Sequence, residues 1–212
     1  MRKLLTITSV FMLLLVSVVM VPAGTYASDV EEHASGQVNT PAPLISPGLQ
    51  LPLSTIANSG VEGSIIANAI VSSGAVVGFT DELFPLPPGA VGGFSPTSVL
   101  GVPVIVVDSA YRNADPRTLG AILIHEGTHV RDIGILGKSD DPPYSCLGRE
   151  LDAFGAAVRY WNTEFPGGKF PVVNSVEAQL NDLALIRTPQ EAVQEIVQLL
   201  TLYALPGQEC NR

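Results

Sequence analysis

An α+β fold, mostly helical and built as one domain, is what this sequence predicts, and three observations predict it. Apolar residues recur at helical spacing behind Asp115-Pro116, an N-cap residue followed by a proline at the first helical position. Two short apolar runs, 76–79 and 102–107, have the length and composition of strands. Proline- and glycine-rich stretches separate these segments and mark turns.

The chain begins with Arg2 and Lys3, an almost unbroken apolar run over 4–21, and the small-residue site Thr25-Tyr26-Ala27. Residues 1–27 therefore read as a secretory signal, and the protein as secreted or held in the cell envelope. The rival reading is an uncleaved membrane anchor, because the run is close to the minimum for spanning a bilayer. Cleavage would leave 185 residues, enough for one domain with a real core. Loss of Arg2 and Lys3 leaves 9 basic residues against 20 acidic ones, a formal charge of −11. Such a surface repels nucleic acid and anionic membranes, so contact with a membrane is expected only if the signal stays attached.

Residues 28–52 are rich in Pro, Ser, Gly and Ala and read as a flexible linker, with His33 an exposed bystander. The domain is then expected over 53–212. Residues 54–73 carry Ile56, Ile65, Ile66 and Ile70 and predict a helix, interrupted or preceded by a turn at Gly60 to Gly63. A strand follows at 76–79, then a loop over 85–101 that contains Gly92-Gly93-Phe94, then a second strand at 102–107. Pro103 puts that second strand at an edge, or stands at the first residue of its ladder. The next helix runs from about Pro116 to about Ile133, with Gly134 as its stop. Gly127 inside it costs about 1 kcal/mol relative to alanine, which a close approach by substrate or a neighbouring strand would justify. A long helix is expected over about 145–165. Two shorter ones start after Asn174 and Thr188, with Glu177 and Glu191 at capping-box spacing.

The chemistry concentrates in His125-Glu126-Gly127-Thr128-His129. Histidines at i and i+4 share a helix face and can reach one metal ion, while Glu126 points to the side, where it can hold a water. Zinc bound there would acidify that water and Glu126 would take its proton. A catalytic zinc needs a third protein ligand, and Glu150 on the following helix is the candidate, with Asp152 its competitor. Asp152 points roughly 200° away around the helix, so the two can hardly both be ligands. Asp132 follows His129 by three residues and reads equally as a carboxylate orienting a ligand histidine or as a surface charge. Tyr111, Tyr160, Tyr203 and Arg159 are candidates to stabilise an oxyanion. Phe154, Tyr160 and Trp161 are expected to pack the second helix into the core. Cys146 and Cys210, the chain's two cysteines, predict a disulfide in an exported protein, ahead of a role as metal ligands.

Taken together, the strand, the Asp115-Pro116 start, the His-Glu-Gly-Thr-His motif and Glu150-Leu151-Asp152-Ala153 resemble the gluzincin metallopeptidases, over about residues 74–161. Gly92-Gly93-Phe94 and 102–107 also look like the segment before the active helix in small bacterial members. The resemblance implies a zincin-like domain, with its small sheet beside the two metal-bearing helices and a C-terminal helical pair as cover. It implies Zn2+ on His125, His129 and Glu150, with Glu126 as general base and a peptide or protein as substrate. It further implies that the strand just upstream lines the cleft and pairs with an extended peptide. The metzincin pattern fails, since no histidine follows His129, and the inverted H-x-x-E-H motif is absent. The alternative to a peptidase is a catalytically silent, zinc-stabilised binding protein of the cell surface.

Overall fold

The computed structural model describes residues 44–96, 101–137, 146–166, 172–186 and 189–202, all within one compact unit, Asn39–Arg212. The fold is α+β and mostly helical, with one small mixed sheet. In chain order it comprises β1 (Leu44–Ile45), α1 (Pro47–Asn58), α2 (Val61–Ser72), β2 (Val76–Phe79), β3 (Gly92–Ser95), β4 (Val104–Val107), α3 (Pro116–His129), a π-helical segment (Val130–Ile135), α4 (Cys146–Glu164), α5 (Ser175–Ala184) and α6 (Pro189–Leu202). Among the described residues no helix is long and apolar enough to cross a membrane. The expected signal over 1–27 lies outside the described residues. So does the Cys146–Cys210 disulfide, since Cys210 lies beyond them and only the backbone of Cys146 is described.

The ordered domain starts earlier than expected, because 44–52 are not linker. Pro47 opens α1 at a position where its missing N–H costs nothing. Pro52 inside the helix forfeits one hydrogen bond. Burial compensates: Leu49, Leu53 and Ile56 face inward, and Leu49 and Ile56 are wholly inaccessible. The chain breaks at Gly60, whose φ of 112° suits only glycine, and α2 begins.

The strand order is β1-β2-β4-β3, parallel except for the antiparallel β3–β4 pair. One expectation changes here, and one alternative is decided. Residues 92–95 form a strand where a loop was expected. The second predicted strand, now β4, is interior, pairing with β2 on one side and β3 on the other. Of the two positions open to Pro103 it takes the start of the ladder: it stands just before Val104, its carbonyl accepts from Val76 N–H at 2.9 Å, and no ladder bond is lost. Alternation along the strands divides the sheet. Val77, Phe79, Ile105 and Val107 join the main core with α1, α2 and α3, whereas Val76, Val104 and Val106 pack against Leu83, Leu86 and Val102.

α3 starts as its sequence predicts, with the Asp115 carboxylate accepting from Arg117 N–H at 2.9 Å. It does not stop at Gly134. Its α-helical part ends at His129, and the chain continues through the π-helical turns, where Leu136 N–H reaches back five residues to Arg131 O at 2.9 Å. Contacts between α3 and α4 fix an antiparallel register. Arg117 lies over Phe165, Gly120 meets Tyr160, His125 meets Phe154, and both histidines meet Glu150. Trp161 is buried and donates to Asn181 Oδ1 at 3.0 Å, tying α5 to α4. The Asn174 side chain caps α5. Glu177 does not complete a capping box by reaching back to the cap residue. It is buried and accepts from Thr118 Oγ1 (2.9 Å) and Val173 N–H (2.7 Å), joining α5 to the start of α3.

Gly127 is explained by helix α2, not by a strand or a substrate. A Cβ there would stand 2.6 Å from Ile66 Cγ2 and 2.7 Å from Ile70 Cδ1. Gly127→Ala gains up to about 1 kcal/mol in helix propensity but overpacks this contact at a cost of about 1–3 kcal/mol. Urea unfolding is expected to show a lower midpoint with an unchanged slope; an equal or higher midpoint would mean that α2 yields freely.

Candidate metal centre

The antiparallel register of α3 and α4 brings three metal-ligating side chains to one point. His125 and His129 stand one turn apart on α3. Their Nε2 atoms face the two oxygens of Glu150 on α4, at 3.3 Å from Oε2 and 3.5 Å from Oε1. One ligand atom from each residue lies within 4.8 Å of the other two, a group that can hold a metal ion. A tetrahedral ion with bonds of roughly 2.0–2.1 Å sets its ligands about 3.3 Å apart; each histidine lies near that distance from one Glu150 oxygen, though not from the same one. Asp152 is exposed and stands outside the group.

Aromatic rings flank the imidazoles. Phe154, four residues beyond Glu150 on α4, meets His125 edge-on, with centroids 4.5 Å apart and planes at 71°. Phe94 of β3 lies nearly parallel to His129 at 6.2 Å. The histidine rings themselves are 5.1 Å apart at 80°. Sequence reasoning placed Phe154 in the core and gave Phe94 no role. The i+4 spacing from Glu150 was the available signal for Phe154, and Phe94 becomes visible only once 92–95 is known to be a strand.

Electrostatics separates the four ionisable groups. Burial pushes the Glu126 carboxyl up to about 7, with the His125 charge opposing and the Glu150 charge adding. Burial depresses His129 to about 4, so its lone pair is free at neutral pH. Burial works against ionised Glu150 too, yet the hydrogen bond and charge of His125, followed by the charges of His129 and Arg149, bring it down to about 2. At His125 burial disfavours the imidazolium, but the Glu150 hydrogen bond and the charges of Glu126 and Glu150 outweigh it and raise the pKa. A cation held by the three ligands would require neutral His125 and would favour the ionised form of the Glu126 carboxyl.

Asp132 is fully buried, which removes the surface-charge reading. Its carboxylate accepts from Arg131 Nε at 2.7 Å, and its charge acts on His129. Two of the oxyanion candidates are engaged elsewhere. Tyr111 pairs with Ser175 Oγ at 2.9 Å, and Arg159 holds Glu62 with two hydrogen bonds. The Tyr160 hydroxyl lies against Gly120, more than a turn before His125. Tyr203 lies outside the described residues.

β3 occupies the sheet edge beside this centre. Asp108 N–H donates to Val91 O, so in the β3–β4 ladder Gly92 and Phe94 occupy the non-hydrogen-bonded pairs and turn their N–H and C=O groups to the edge that carries no further strand among the described residues. β4 is paired on both sides, whereas β3, last in the strand order, has a strand partner on one side only among the described residues. No protein-family model matches this chain, and no curated protein or solved structure matches it either.

Proposed function

We propose that the chain is an exported zinc-dependent peptidase with a zincin-like fold, of the gluzincin kind. The observation that carries this reading is the convergence of His125, His129 and Glu150, with Glu126 buried beside them next to an open strand edge. Two imidazoles and one carboxylate with a position left for water form a catalytic zinc set. When bound, zinc supplies a Lewis acid that polarises the scissile carbonyl and brings the pKa of water to about 7.

The chain's own groups account for the remaining steps. The outward N–H and C=O groups of Gly92 and Phe94 align an extended peptide along β3. Glu126 removes a proton from the attacking water as its oxygen bonds to the carbonyl carbon. The carbon–nitrogen bond then breaks, and Glu126 returns the proton to the leaving amine. Phe94 and Phe154 keep the imidazoles in place and limit water around them. Export rests on the signal-like residues 1–27, and a peptide partner rests on the open edge.

A mixed peptide library incubated with the mature protein tests the reading. Cleavage is expected with zinc, is expected to stop on chelation, and returns when zinc is restored. Cleavage that survives complete metal removal would place the chemistry elsewhere.

A further inference from the structure

Resting on the peptidase reading, we infer that Gly92 is a positioning residue for Glu126: the side chain it lacks is the space in which the Glu126 carboxylate sits. A Cβ on Gly92 would stand 2.6 Å from Glu126 Oε1, 3.3 Å from its Cδ and 2.9 Å from Ile122 Cγ2. The first and last of these are closer than carbon sits to its neighbours in a packed protein, so a methyl group moves the carboxylate, Ile122 or the strand. The backbone gives no other reason for glycine, because Gly92 is not among the glycines with positive φ. Its pairing with Val107 is regular, and Phe94, two residues on, presents its ring to His129 from the same face of the strand. Gly92 therefore lets the edge strand close on α3 until carboxylate and backbone touch. That contact seats the Glu126 carboxylate against the strand, within electrostatic reach of His125 and Glu150.

Gly93 provides an internal control. A Cβ there would also make one contact of 2.6 Å, to Leu86 Cδ2, but on the opposite face of the strand. The experiment loads full-chain wild type, Gly92→Ala, Gly93→Ala and Glu126→Gln with cobalt(II), whose visible absorption reports the groups around the metal. All four are expected to hold cobalt at the wild-type ratio. Gly92→Ala is expected to shift the bands in the direction of Glu126→Gln, whereas Gly93→Ala keeps the wild-type spectrum. A wild-type spectrum in Gly92→Ala, or an equal shift in Gly93→Ala, overturns the positioning role while leaving the metal centre standing. A wild type that takes up no cobalt overturns the reading beneath it. If Gly92→Ala does not accumulate folded, Gly92→Ala/Ile122→Ala removes the second close contact and is compared with Ile122→Ala to the same end.

Discussion

Glu126→Gln is expected to abolish hydrolysis of any peptide the wild type cleaves and to leave the metal in place. Glutamine keeps the shape of the side chain beside Gly92 and can donate a hydrogen bond, but it cannot accept and return a proton. Loss of a general base typically lowers kcat by about 10²–10⁴, and KM should change little because the open edge of β3 is untouched. The substitution also removes a buried carboxyl whose pKa is raised to about 7 by burial, so the folded protein should be no less stable at neutral pH. Rate measurements and metal analysis on the same preparation check both halves. A variant that keeps its metal and still cleaves would assign the proton transfer to another group. A wild type that holds zinc and cleaves nothing would favour the binding-protein alternative.

His129→Ala and Glu150→Ala form the second pair of large effects. Each removes one of three ligands and leaves two, so zinc affinity should fall by more than the roughly 10–100-fold seen when only a ligand's supporting partner is lost. The two variants are expected to differ in their metal-free stability. Glu150 is ionised and largely enclosed beside His125, and its removal leaves that imidazole buried without its hydrogen-bond partner. His129 is neutral at pH 7, and its loss leaves mainly a cavity between Phe94 and α4. Wild type should gain stability with zinc, by about 2.7 kcal/mol at a concentration 100 times Kd. Both variants should lose most of that gain at the same concentration. Thermal melts with and without zinc measure it, and equal zinc stabilisation in wild type and variants would remove His129 and Glu150 from the site.

How much of this was legible in the sequence follows the range of each interaction. The His125–His129 pair is local, since five consecutive residues on a helix define its geometry, and Asp115-Pro116 marks where that helix starts. Glu150 was within reach because a second helix returning beside the first brings a carboxylate back to the histidines. The strand at 92–95 was hidden because Gly92 and Gly93 have no strand propensity and pair only because β4 lies beside them. Residues 44–52 looked like linker for a related reason. Pro47, Gly48 and Pro52 argue against order locally, while the burial of Leu49 and Ile56 that overrides them is tertiary. The π-helical turns after His129 carry no sequence marker, and with them went the burial of Asp132. Phe94 and Phe154 were hidden for the same reason as β3: their contacts join elements far apart in the chain.

The most direct test of the central claim is a zinc titration of the metal-free mature protein, with His129→Ala and Glu150→Ala titrated beside it. The geometry of His125, His129 and Glu150 predicts a single tight site in the wild type that is lost or greatly weakened in both variants. No uptake by the wild type, or uptake that both variants retain in full, would contradict a metal centre at these residues and the peptidase built on it.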